Sequence, residues 1–90
     1  LNLPTAFSPN GDGVNDVFHI LNWLNIQKLL EFSVYNRWGE KVFTTNDLYD
    51  GWDGVYLGHE QPMSTYVWVA IALTKDGQQI VRKGNVTLLR

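Results

Sequence analysis

Apolar and polar residues alternate with a period of two through most of the chain, and the alternation stops at clusters of Gly, Asn, Asp and Pro. Residues 29–35, with Asn36 at their edge, set Phe32 and Val34 against Glu31, Ser33 and Tyr35, the pattern of a pleated strand. RWGE (37–40) reads as a tight turn in which Gly39 takes a positive φ, and KVFTT (41–45) returns as the second arm of a hairpin. NDLYDGWDG (46–54) is a loop, because Asn, Asp and Gly favour local bends over ladders. YVWVAIALT (66–74) is the strongest strand, and KDGQ (75–78) closes it with an Asp-Gly hairpin signal. QIVRKGNVTLLR (79–90) is the last strand, with a bulge or bend expected at Gly84. Ahead of these, LPTAF (3–7) reads as an edge strand on account of Pro4, and VFHI (17–20) as another short strand.

Two stretches resist this pattern. The apolar positions 21, 24, 29 and 30 fit neither the strand nor the helix period, so 21–28 reads as a loop with at most one helical turn. Residues 66–74 are apolar on both faces, Val67, Val69, Ile71 and Leu73 on one and Tyr66, Trp68, Ala70 and Ala72 on the other. A half-exposed strand is polar on its outer face. The second face is therefore either covered by a neighbouring loop such as 21–28 or left open as an aromatic patch that docks a partner. Six to eight short strands at about ten-residue spacing indicate an all-β fold, an immunoglobulin-like antiparallel β-sandwich of about seven strands.

Composition narrows the class. Residues 1–90 make one domain, and four Trp, four Tyr and four Phe supply its core. A net charge of −2 with scattered Lys and Arg excludes a nucleic-acid binder of the basic-stripe type. With no cysteine there is neither a disulfide framework nor a thiolate zinc site. The longest apolar run, YVWVAIAL, is too short to span a membrane. The chain begins with Leu1 and shows no signal peptide, so it reads as a piece of a longer protein.

Candidate chemistry is sparse. FSPNGDGVNDVF (7–18) has the oxygen-rich make-up of a calcium loop. With Gly13 at the sharp turn, the ligands fall on Ser8, Asn10, Asp12, the Val14 carbonyl and Asp16. The twelfth place is His19, which supplies no bidentate carboxylate, so such a calcium site is weak. The competing reading is a metal-free turn held by Asx bonds. Asp47, Asp50 and Asp53 lie near Trp52 in a wet, Gly-rich loop, where they cap turns around a buried indole rather than form an acid–base pair. Neither His19 nor His59 sits beside a nucleophile, and Ser8, Ser33 and Ser64 lack a nucleophile-elbow context. No enzyme is expected.

The motifs gain meaning from their order. FSPNGDGVNDVF, VYNRWGEKVF, GWDG, a Pro-containing loop into YVWVAI and a closing KGNVTLLR together resemble the gliding-motility-associated C-terminal domain, the type B sorting domain of proteins exported by the type IX secretion system of Bacteroidota. The resemblance runs from Pro4 to Arg90, and departs from the family at Ser64, where Gly is usual, and across 21–28 with Trp23. It implies a C-terminal sorting signal attached to cargo domains in the same chain. Such a signal is recognised by the translocon and its associated outer-membrane proteins, and exported through the periplasm to the cell surface or beyond, without membrane insertion or nucleic-acid binding. It also marks Asn36, Arg37, Trp38 and Gly39 of YNRWG, and Gly51, Trp52, Asp53 and Gly54 of GWDG, as signature positions. Arg37 is then either a partner contact or the ion-pair partner of an Asp in the neighbouring loop. The other function class open to such a sandwich is an extracellular adhesion or carbohydrate-binding module.

Overall fold

The computed structural model describes residues 3–9, 16–22 and 25–89. These form seven strands and no helix: β1 (Ala6–Phe7), β2 (Ile26–Tyr35), β3 (Lys41–Thr45), β4 (Val55–Tyr56), β5 (His59–Glu60), β6 (Ser64–Thr74) and β7 (Gln79–Leu88). Five make one sheet in the order β1-β7-β6-β2-β3, and β4 pairs with β5 in a small second sheet. Every pairing is antiparallel except β1 with β7, which is parallel. The all-β expectation holds, with a mixed rather than purely antiparallel main sheet.

One face of that sheet carries the core. Leu29, Phe32 and Val34 of β2, Tyr66, Ala70 and Ala72 of β6, and Val86 and Leu88 of β7 are all buried. The cover is thin: Phe18 and Trp52 exchange two backbone hydrogen bonds, at 2.8 and 2.9 Å, and Ile20, Leu48 and Tyr56 join them against the core. Aromatic rings run through the centre without a break. Tyr66 meets Trp52 at 4.9 Å between centroids, Trp52 meets Phe7 at 5.5 Å, and Phe7 stacks on Phe18 at 5.7 Å. Phe18 then meets Phe32 at 5.6 Å, and Phe32 meets Phe43 edge-on at 6.1 Å. Such pairs add to area burial, which suits a domain too small for a deep aliphatic core. The Tyr66 hydroxyl donates to the Pro62 carbonyl at 2.7 Å. A strand-end Tyr tied to backbone a few residues upstream is a device of immunoglobulin-type sandwiches.

Several expectations are corrected. Residues 26–28 are strand, not loop, because β2 carries two register shifts, between Ile26 and Lys28 and between Leu29 and Glu31. Each resets the pleat, so Ile26, Leu29 and Phe32 share a face at intervals of three. VFHI is reduced to a single bridge, Phe18 with Trp52. Gly84 makes no bulge or bend, since the β6–β7 register runs unbroken through Trp68 and Gly84. Its missing side chain leaves room for the Trp68 ring: a Cβ there would lie 2.7 Å from Trp68 Cζ2. On β6 it is the Tyr66, Ala70 and Ala72 face that is buried, with Tyr66 edge-on against Trp52, while Val67, Val69, Ile71 and Leu73 lie on the partly exposed face. Ser33 shares that outer face yet is 0% exposed; its hydroxyl donates to Glu31 Oε2 at 2.6 Å and lies 2.9 Å from Thr44 Oγ1.

Candidate functional site

The β2–β3 turn is built to hold two exposed side chains still. Gly39 N–H donates to the Asn36 carbonyl at 3.0 Å, and Asn36 N–H donates to the Glu40 carbonyl at 2.9 Å. Gly39 sits at φ 83°, so Arg37 and Trp38 occupy the turn and a left-handed glycine completes a three-residue loop. Asn36, the chain's buried amide at this end, locks it. Its Oδ1 accepts from Trp38 N–H at 3.0 Å and from Glu40 N–H at 2.9 Å, and its Nδ2 donates to Glu40 Oε1 at 3.0 Å.

Above this lock, Trp38 is 72% exposed and the Arg37 guanidinium lies 4.6 Å from its ring centroid. Among the described residues Arg37 makes no ion pair, neither with Asp47, Asp50 nor Asp53. The antiparallel pairing of Tyr35 with Val67 brings the start of β6 beside the turn. Arg37, Trp38, Pro62, Met63, Ser64 and Tyr66 thereby line a cleft of about 60 Å³. Met63 is exposed there. Trp, Arg and Met are the residue types over-represented in protein interfaces. Pro62 and Met63 were not legible as site residues, since the contact arises from strand register rather than from any local motif.

GWDG does structural work. The Trp52 ring is buried, with Nε1 donating to the Val55 carbonyl at 3.0 Å, and Gly54 has φ 83°. A Cβ on Gly51 would lie 2.4 Å from Val17 Cγ1 and 2.8 Å from the Phe18 carbonyl oxygen, so only glycine lets the Phe18–Trp52 bridge close. Asp47, Asp50 and Asp53 accept bonds from Tyr49, Gly51 and Val55 N–H groups, which is turn capping, as expected. His59 lies in β5, and His19 lies outside any strand, its Nδ1 3.1 Å from the Val17 carbonyl oxygen.

Of the calcium register, Ser8 and Asp16 are half-buried; Asn10, Asp12 and Val14 lie outside the described residues. On the outer face, Lys41 Nζ sits 3.3 Å from Glu31 Oε2 and 5.7 Å from the Tyr35 ring. The Ser33 hydroxyl, and then Lys41, hold the Glu31 carboxyl below its ordinary value, and Glu31 raises Lys41. These groups stabilise the sheet locally.

A family model described as CHU_C Type IX secretion signal domain matches residues 1–88. No curated protein matches the chain.

Proposed function

We propose, on the premise that this chain belongs to the type IX secretion signal domain family, that its Arg37–Trp38 turn is the contact by which the secretion machinery reads it. The sorting role itself comes with the family: the domain is a C-terminal sorting signal, recognised by the secretion system and leading to export to the cell surface or the extracellular space. The family is not a catalytic one, and the match does not favour an adhesion or carbohydrate-binding role. The finer reading concerns partner and route: a component of the outer-membrane translocon, or a protein associated with it, meets the folded domain after its passage through the periplasm.

One observation carries this reading. The large apolar ring of Trp38 stands 72% exposed on a turn fixed by three Asn36 side-chain bonds, under a guanidinium that makes no ion pair among the described residues. A rigid, pre-ordered aromatic–Arg pair loses little entropy when a partner covers it. The test is a reporter fused ahead of the 90 residues in a bacterium with a working type IX system. Wild-type fusion delivers the reporter outside the cell; Trp38→Ala and Arg37→Ala leave melting temperature unchanged and strand the reporter in the periplasm. Export that persists in both variants sinks the turn as the contact, whereas a wild-type reporter that never leaves the periplasm removes the sorting role from this chain. A calcium-holding role for residues 8–16 is a separate proposal, read by thermal melts with and without millimolar calcium.

A further inference from the structure

The two edges of the main sheet are unlike. β3 is short, whereas β7 spans Gln79–Leu88 and, among the described residues, is paired on its outer side only by β1, at Thr87 and Leu88. The direction of its backbone groups can be worked out. Thr74 N–H donates to the Gln78 carbonyl, which makes that pair a hydrogen-bonded one. Hydrogen-bonded pairs recur every second residue. Ile80, Arg82, Gly84 and Val86 therefore face β6, and Gln79, Val81, Lys83 and Asn85 point their N–H and C=O groups away from it. Thr87 N–H bonding to Thr5 and Leu89 N–H bonding to Phe7 fit the same parity. Four consecutive outward residues, all exposed, thus have no strand beside them among the described residues.

The side chains along this edge select what could fill it. β7 contains Arg82 and Lys83 and no acidic residue. Neither cation makes an ion pair among the described residues; Arg82 Nη1 instead reaches the outward carbonyl of Val81 at 3.1 Å. Beside them stand Val81, 45% exposed, and the half-buried Ile80. A second copy pairing antiparallel about Arg82 would set Arg82 against Arg82, and like charges directly opposite are destabilising. Arg82 and Lys83 are adjacent and so lie on opposite faces of the sheet; a strand with two adjacent acidic residues meets both with opposite charge and replaces one exposed Arg82–carbonyl bond by a ladder.

We infer that the β7 edge from Gln79 to Asn85 is a strand-addition site for an extended segment of a partner protein that carries two adjacent acidic residues flanked by apolar ones, one acid for each face of the sheet. Main-chain bonds would supply affinity and the two cations the choice of sequence. The inference is independent of the Arg37–Trp38 contact: export that survives Trp38→Ala leaves it standing, and a failed titration here leaves the sorting role standing.

The test is amide hydrogen exchange on the isotope-labelled 90-residue chain, titrated with an end-capped peptide that carries a central Glu-Glu pair between Val residues and with its Lys-for-Glu counterpart. The acidic peptide is expected to slow exchange of Val81, Lys83 and Asn85 on the order of tenfold. The amides of Ile80, Arg82 and Gly84, already bonded to β6, keep their rates. The basic peptide has no effect on wild type but protects the same amides in the double variant Arg82→Glu, Lys83→Glu. Lys83→Pro, which removes an outward N–H and leaves the β6 ladder whole, abolishes protection without lowering the melting temperature. Equal protection by both peptides, protection at other residues only, or none at all overturns the inference. So does concentration-dependent protection of these amides without peptide, which would assign the edge to a second copy.

Discussion

Replacing Asn36 by Ala tests whether the β2–β3 turn is held by one side chain. The substitution removes two acceptor bonds to the Trp38 and Glu40 N–H groups and one donor bond to the Glu40 carboxylate. A net hydrogen bond contributes about 0.5–1.5 kcal/mol, and water reaches the exposed Trp38 and Glu40 well enough to recover part of that. The expected loss is therefore about 2–3 kcal/mol, a fall in melting temperature on the order of 10–20 °C for a domain of this size. Asn36→Asp separates the contributions. Its carboxylate keeps both acceptor bonds but faces Glu40, so at neutral pH it costs about 1 kcal/mol, and the deficit shrinks in acid as one of the two carboxyls protonates. Urea unfolding monitored by tryptophan fluorescence, repeated across pH, measures both. If Asn36→Ala stays within about 0.5 kcal/mol of wild type, or if Asn36→Asp is no milder than Asn36→Ala at any pH, the turn is held by its backbone and the glycine alone.

Three other outcomes follow from the same geometry. Gly84→Ala drives a Cβ into the Trp68 indole and should cost about 1–3 kcal/mol; in a Trp68→Ala background the penalty disappears, and a double-mutant cycle by urea unfolding reads the coupling. Leu57 sits at φ 53° in the two-residue β4–β5 turn with its side chain 79% exposed, so Leu57→Asn should gain about 0.5–1 kcal/mol, seen as a higher melting temperature. Glu31 has a depressed pKa because Ser33 and Lys41 favour its charged form. Its contribution is therefore present above its ordinary value of 4.5 and lost as pH falls through the lower folded value. Glu31→Gln should flatten the pH dependence of stability between about pH 5 and pH 3.

The sequence was legible where one periodicity ran undisturbed. Lys41–Thr45 has the bounds read from KVFTT, and the Asn36–Gly39 and Lys75–Gly77 turns carry the positive-φ glycines their motifs demand. It was illegible where the pleat is reset: two register shifts inside β2 put Ile26, Leu29 and Phe32 on one face at a spacing that imitates neither strand nor helix. Gly84 misled for a different reason. A glycine opposite a tryptophan satisfies a cross-strand packing need that no local pattern reports. The site divides in the same way. Asn36, Arg37, Trp38 and Gly39 are contiguous and could be marked as a motif, whereas Pro62 and Met63 join them only through the pairing of β2 with β6.

The parallel pairing of β1 with β7 has a mechanical consequence. Tension that draws the chain backward ahead of β1 and forward beyond β7 acts along the two strands in opposite directions. The Thr87–Thr5 and Leu89–Phe7 bonds, at 2.9 and 2.8 Å, then bear the load together in shear instead of opening one after the other. Forced unfolding is governed by the rate of crossing the unfolding barrier. A domain hauled by its two ends would therefore hold its shape until this small clasp gives way, and after that the remainder of the sheet would be loaded from the β7 side.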